Sequence, residues 1–295
     1  MKAVAVVVTY NRLSMLQQCV AHLRLQTVPC DILLVDNASS DGTDEWVSTQ
    51  PDIDYYNTGA NLGGAGGFNL GMRIAVDRGY DAVWVMDDDC FPEKTALEEL
   101  EKADNLLGGN YGWLASVVLW TDGKECRMNR PKLRKDYYTK MELLPHGLIF
   151  AEQATFVSLF LRASTIRKAG LPIKEFFIWG DDIEFTRRIA VRMGKPCYIA
   201  TQSVVVHAMK ENSGSNIATD SVERLERYKY AFRNENYLYR KESIKGIIYY
   251  TAKRGKNALE IIRFSKNNRA KRMWVLVSSV IKGLFFSPRV EYVSR

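Results

Sequence analysis

No stretch of this sequence reaches the roughly 18 uninterrupted apolar residues that a membrane-spanning helix requires, so a spanning segment is not expected. The five cysteines (Cys19, Cys30, Cys90, Cys126 and Cys197) form no C-x-x-C pair and are odd in number. That pattern supports neither a disulfide framework nor a zinc site, and the thiols read as reduced structural residues. The apolar run Met1 to Val8 reads as a first core strand rather than a leader, since Thr9-Tyr10-Asn11-Arg12 cuts it short with no small-residue cleavage site behind it. The expected location is therefore the cytoplasm. There is no internal repeat, no low-complexity linker and no nucleic-acid-binding motif. Only three histidines occur. His22 and His146 have no suggestive context, whereas His207 closes an apolar strand.

What is present is ordinary in bulk. The 295 residues are 46% hydrophobic and 25% charged, enough for one large domain or a domain with an appendage. The net charge of +7 is unevenly spread: residues 240–295 hold 14 Lys/Arg against 3 Asp/Glu, leaving 27 against 31 in the first 239. A mildly acidic body thus carries a strongly basic tail, and the chain divides into 1–220 and 221–295.

The body alternates strand and helix. Ala3 to Val8 is an apolar, β-branched run of the kind buried on both faces, followed by Leu13, Leu16, Val20 and Leu23 at helical spacing. Ile32 to Val35 is a second strand, leading through Asp36-Asn37-Ala38-Ser39-Ser40-Asp41-Gly42-Thr43 into a short helix around Glu45 to Thr49. Ile53 to Tyr56 is a third, followed by a glycine-rich loop from Asn57 to Phe68 and a helix beginning at Leu70. Ala82 to Met86 is a fourth, ending in Asp87-Asp88-Asp89, with a helix expected from about Pro92 to Leu107. This rhythm predicts a doubly wound α/β sheet whose post-strand loops converge on one crevice. Beyond it come strands at Trp113 to Trp120, Thr155 to Leu161 and Tyr198 to Val206. Residues 121–150 read as a basic loop, and a helix is expected from Asp181 to about Met193.

Three adjacent carboxylates at the end of a core strand repel one another, and a divalent cation is the simplest compensation. The competing reading is a solvated acidic turn. In an extended segment Asp87 and Asp89 point to one side and Asp88 to the other. Gly63, Gly64, Gly66 and Gly67 do not match G-x-G-x-x-G and follow the third strand, so a dinucleotide-binding reading fails. They suit a loop approached closely by a ligand, or a tight turn. Asp181-Asp182 opens a helix, where simple N-capping competes with a chemical role.

In order along the chain, Val8-Thr9-Tyr10-Asn11-Arg12, Val35-Asp36-Asn37, Asn61-Leu62-Gly63-Gly64-Ala65-Gly66-Gly67-Phe68, Asp87-Asp88-Asp89 and Trp179-Gly180-Asp181-Asp182 strongly resemble family 2 glycosyltransferases of the GT-A fold. Bacterial galactofuranosyltransferases are the most similar members and rhamnosyltransferases the next. The resemblance implies a Rossmann-like nucleotide-diphospho-sugar transferase sheet flanked by helices, with a basic helical C-terminal region. It implies an inverting, metal-dependent transfer of a sugar, galactofuranose from UDP-galactofuranose or else rhamnose from dTDP-rhamnose, onto a lipid-linked or polysaccharide acceptor of the cell surface. Thr9, Asn11, Arg12 and Asp36 would take the nucleoside; Asn61, the four glycines and Phe68 would face the sugar or diphosphate. Asp89, Asp87 and His207 would hold Mn²⁺ or Mg²⁺. Asp87 is alternatively a ribose contact, and Asp88 is grouped with the donor without a defined role. Asp182, then Asp181, would be the general base, with Trp179 and Glu184 on the acceptor side. An inactive nucleotide-sugar or glycan-binding module is the reading of another class.

The tail interleaves Tyr249, Ile262, Phe264, Trp274, Ile281, Leu284 and Phe285 with Lys and Arg. This suits helices resting on an anionic membrane surface, which would place the protein peripherally on the inner face of the membrane. A solvated face packed on the domain, or on a second copy in a homo-oligomer, is the alternative. A nucleic-acid partner is not expected.

Overall fold

The computed structural model describes residues 1–293. Its centre is a ten-stranded mixed sheet in the order β3-β2-β1-β4-β9-β6-β10-β8-β7, with β5 pairing on β10. The strands are β1 (Ala3–Thr9), β2 (Asp31–Asp36), β3 (Ile53–Asn57), β4 (Ala82–Asp87), β5 (Cys90–Pro92), β6 (Leu114–Trp120), β7 (Lys132–Leu133), β8 (Leu148–Gln153), β9 (Leu159–Arg162) and β10 (Tyr198–His207). The helices are α1 (Leu13–Arg24), α2 (Thr43–Ser48), α3 (Gly63–Asp77), α4 (Ala96–Leu106), α5 (Ala163–Ala169), α6 (Asp181–Arg187), α7 (Leu225–Glu242), α8 (Ile244–Phe264) and α9 (Arg269–Phe285).

The first four strands are parallel, as their continuous apolar runs predict. Side chains alternate across β1. Val4, Val6 and Val8 enter one core layer with Phe68 and Met72 of α3, while Ala5 and Val7 enter the other with Leu16 and Val20 of α1. The sheet is not purely doubly wound, however. β9 runs antiparallel between β4 and β6, and β10 is antiparallel to β5 and β8. The expected strand from Thr155 begins only at Leu159, and the basic stretch 121–150 is ordered by β7 and by 3-10 turns at Arg127–Asn129 and Tyr137–His146. The helix expected from Pro92 starts at Ala96, because Cys90–Pro92 is captured as an edge strand by β10.

The largest departure is the glycine segment, which is not a loop but the first two turns of α3. Glycine costs about 1 kcal/mol in a helix interior relative to alanine, and close packing on the sheet offsets it. A Cβ on Gly67 would stand 2.5 Å from Val8 Cγ1, and one on Gly71 would stand 2.4 Å from Val6 Cγ1.

The helices of the tail share an apolar cluster, around Leu225, Phe232, Ile261 and Val275, with Ile217 and Ala218 of the body. Further contacts with the body include Tyr237 packed on Phe176 and a bidentate pair in which Arg187 donates to Glu242 at 2.6 and 2.8 Å. Among the described residues no helix is long and apolar enough to cross a membrane. All five cysteines are unpaired, and burial pushes the Cys90 thiol well above its usual range, which makes it unreactive.

Candidate active site

Parallel strands bring their carboxyl ends to one edge. Thr9 is in register with Asp36 and Val8 with Asp87, so the residues ending β1, β2 and β4 lie side by side. After Asp87 the chain does not continue extended; it turns at Asp88-Asp89 and returns as β5, which pairs Cys90 with His207 of β10. Asp87 and Asp89 therefore share a side because of a turn rather than a pleat.

This brings one donor atom each from Asp87, Asp89 and His207 within 4.8 Å of one another. His207 Nε2 lies 3.0 Å from Asp89 Oδ1, and its Nδ1 lies 2.7 Å from Asn129 Oδ1, an acceptor that turns Nε2 toward the carboxylates. Two carboxylates and one oriented imidazole are a donor set suited to Mg²⁺ or Mn²⁺. Asn129 lies in the stretch read from sequence as a loop, and no motif marks it.

The electrostatics favour a cation. Burial pushes Asp87 up to about 7, with the Asp89 charge adding to it. Burial also works against ionisation of Asp89, but His207 and Arg12 outweigh it and hold that carboxyl below its usual range. Burial opposes the His207 imidazolium as well, yet its hydrogen bond to Asp89 is among the effects that raise it to about 10.

Asp88, which had no role in the sequence, acquires one. Its Oδ2 accepts from the buried Thr9 hydroxyl at 2.7 Å, and Arg12 approaches its other oxygen at 3.5 Å. Burial pushes it up to about 6. Thr9 is 1% exposed and spent on this bond, so it does not line an open pocket. Arg12, expected beside the nucleoside, instead places its guanidinium on Asp89 and Asp88.

The edge expected to meet the nucleoside is built from the first two loops. Asn11 donates from its backbone to Ser39 Oγ at 2.9 Å and accepts from Ser40 N at 2.7 Å, locking the loops together. Asp36 is fully buried. One of its oxygens accepts from Ser39 N and Oγ, and the other accepts from Tyr55 Oη at 2.8 Å. Asn61 Oδ1 receives Gly63 N at 2.8 Å, leading the chain into α3. Gly64 is half-buried, whereas Gly66, Gly67 and Phe68 are buried, and Phe68 packs edge-on against Phe156. A direct sugar contact from Phe68 is thereby replaced by a core role.

Asp181 and Asp182 open α6 after Gly180, whose φ is 92°. Burial raises Asp181 well above the usual range, and the negative charges of Asp182 and Asp87 add to it. Burial pushes Asp182 up to about 6. Trp179 is half-buried and packs edge-on against Tyr228 at 5.1 Å. Glu184 departs from its expected acceptor-side place: it is 1% exposed and tied to Arg188 Nη2 at 2.6 Å. A carboxylate there is consumed by the nearest cation one helical turn away.

The chain has clear relatives. The glycosyl transferase family 2 profile matches residues 4–140. The galactofuranosyltransferase GlfT1 of Mycobacterium tuberculosis is 32% identical over 224 residues, covering 69% of this chain and 69% of that protein. GlfT1 of Mycolicibacterium smegmatis is 27% identical over 260 residues, 83% of this chain and 85% of that one. Among solved structures, GalNAc-T7 with UDP, GalNAc and Mn²⁺ superimposes with a TM-score of 0.66 over 87% of this chain at 14% identity. This chain spans about half, 51%, of that one, and the likeness is one of fold.

Proposed function

Because the chain belongs to glycosyl transferase family 2 and is a glycosyltransferase of the GT-A fold, we propose that it moves galactofuranose from UDP-galactofuranose, with inversion, onto a lipid-linked or polysaccharide acceptor in cell-surface glycan synthesis. The identity to two galactofuranosyltransferases supports the donor. The observation that supports the mechanism is the convergence of Asp87, Asp89 and His207 within 4.8 Å, close enough to the other acidic pair for the Asp87 charge to act on Asp181.

Each cluster has a separate task. Asp87, Asp89 and His207 would hold Mn²⁺ or Mg²⁺, which supplies Lewis-acid stabilisation of the charge building on the leaving diphosphate. Asn129 orients His207 for that task. Arg12 would add a fixed positive charge at the same end. The loops joined by Asn11, with Asp36 and Tyr55 behind them, would take the uridine, and Gly64 with Asn61 would border the sugar. Asp182 would accept the proton of the attacking acceptor hydroxyl. Its pKa near 6 leaves it ionised at neutral pH yet more basic than an ordinary aspartate. Asp181, more strongly raised, is the second candidate.

The tail would rest on an anionic membrane surface. On α8 the exposed Ile244, Ile248, Leu259 and Ile262 recur at helical spacing, and on α9 so do Trp274, Val277, Ile281 and Leu284. Exposed Lys245, Lys256, Arg263, Lys266, Lys271 and Lys282 accompany them. Apolar stripes flanked by cations fit a bilayer interface, where a lipid-linked acceptor would be found.

The test is nucleotide release from a panel of UDP-galactofuranose, UDP-galactopyranose, dTDP-rhamnose and GDP-mannose with Mn²⁺ and an octyl galactoside acceptor. UDP-galactofuranose is expected to be turned over best. Preference for dTDP-rhamnose would overturn the donor, and tight UDP binding without turnover of any donor would overturn the enzymatic reading.

A further inference from the structure

The turn that leads into Asp181 and Asp182 is held in a backbone conformation that side chains other than glycine disfavour. Phe177 has φ 64° and ψ −62°, and Trp179 has φ 62°. Phe177 is the centre of a three-residue turn closed by Ile178 N donating to Phe176 O at 2.7 Å. Such strain persists only where the surroundings over-determine it, and it concentrates at functional sites.

Two helices from opposite directions supply that constraint. From α3, Ala65 N donates to Phe177 O at 3.2 Å. Gly63 lies so close that a Cβ there would stand 2.1 Å from the same carbonyl oxygen. From α7, the Asn234 amide nitrogen donates to Phe176 O at 3.0 Å, Ile178 O at 3.3 Å and Trp179 O at 2.8 Å. Asn234 is fully buried, and its Oδ1 accepts from Arg233 Nε at 3.0 Å and Nη2 at 2.8 Å. The same Arg233 nitrogen donates to Glu175 O at 2.6 Å. Four successive carbonyls, from Phe176 to Trp179, are thus each bound by α3 or α7.

We propose that Asn234 is a positioning residue for transfer: it clamps the strained turn, sets the direction in which α6 begins, and so fixes where the Asp181 and Asp182 carboxyls point. Gly63 is its counterpart on the other side, admitting the Phe177 carbonyl where any side chain would expel it. The inference rests on the reading that this acidic pair contains the base. It gives the start of the tail a part in the reaction independent of any membrane contact.

The test compares full-length Asn234→Asp with Gly63→Ala. In the first, a carboxylate oxygen of unchanged shape replaces the donor and faces three carbonyls. In the second, the clamp is opened from α3. Both are expected to lower kcat for UDP-galactofuranose by about 100-fold, since misplacement of a reacting group by an ångström costs that much. For Asn234→Asp, UDP affinity in Mn²⁺ should stay within about threefold, and the acid limb of the kcat–pH profile should move. Amide exchange across residues 174–188 should quicken by about tenfold while β1 and β4 keep their protection. Variants whose folded fraction retains wild-type kcat and wild-type exchange would overturn the clamp. Absence of any donor turnover by the wild type would instead remove the donor assignment, and the exchange readout would then decide the clamp alone: unchanged exchange in both variants overturns it.

Discussion

His207 Nε2 stands 3.0 Å from Asp89 Oδ1, across 118 residues of chain, because β5 turns back immediately after Asp89 and pairs with the last residues of β10. Without a cation the imidazole is protonated, with its pKa raised to about 10. A bound metal needs the neutral ring.

Metal affinity should therefore rise with pH. Between about 7, where Asp87 is itself ionised, and about 10 each Mn²⁺ bound displaces the His207 proton, so Kd should tighten by up to about tenfold per pH unit. Calorimetric titration of Mn²⁺ at several pH values between 7.5 and 9 checks this, and His207→Ala should flatten the dependence while weakening binding by about 10- to 100-fold. A pH-independent Kd in the wild type would contradict the assignment of His207.

Turnover should follow ionisation of Asp182. Burial raises its carboxyl from 3.8 to about 6, so the basic form is present above that value and is lost as pH falls through it. The kcat–pH profile should have an acid limb near 6 with a slope of one. A limb near 4 would place the base in a more solvated carboxylate.

Surface binding should depend on the α9 stripe. Trp274 is 69% exposed and Ile281 52%, and neither belongs to the acidic clusters. Trp274→Glu with Ile281→Glu should abolish sedimentation with vesicles rich in phosphatidylglycerol and leave donor turnover in solution unchanged. Wild-type binding should weaken as salt is raised. Sedimentation that survives both changes would assign the stripe to protein packing.

Gly71→Ala should destabilise the fold. Its Cβ would stand 2.4 Å from Val6 Cγ1 and 3.1 Å from Val35 Cγ2, in the layer between α3 and the sheet. Overpacking of this kind costs about 1–3 kcal/mol, read as a lower urea midpoint at constant m. An unchanged midpoint would mean that α3 sits further from β1 than described.

Much of the frame was legible because it is local. The run Ala3 to Val8, the strand ending in Asp87 and the helical spacing of Leu13 to Leu23 each carry their own signature. The cluster of Asp87, Asp89 and His207 was legible as residue types, two carboxylates closing one strand and a histidine closing another. What escaped depends on distant pairing. Asp88 is explained by Thr9 and Arg12, 79 and 76 residues earlier in the chain. Glu184 is the local exception: Arg188, only four residues on, holds it away from the acceptor-side place expected for it. The glycines between 63 and 71 read as a loop because propensity disfavours them in helices, yet their lack of side chains is what lets α3 lie against Val6 and Val8. Asn234 lies in a helix whose composition suggested only a basic tail.

The most direct test of a site divided between leaving group and nucleophile is the transfer rate and UDP affinity of Asp182→Asn, measured on the same protein in Mn²⁺. The account predicts that transfer falls by at least about 100-fold, the contribution of a general base, while UDP Kd stays within about twofold of wild type. Transfer at the wild-type rate would contradict it, as would a parallel loss of UDP binding.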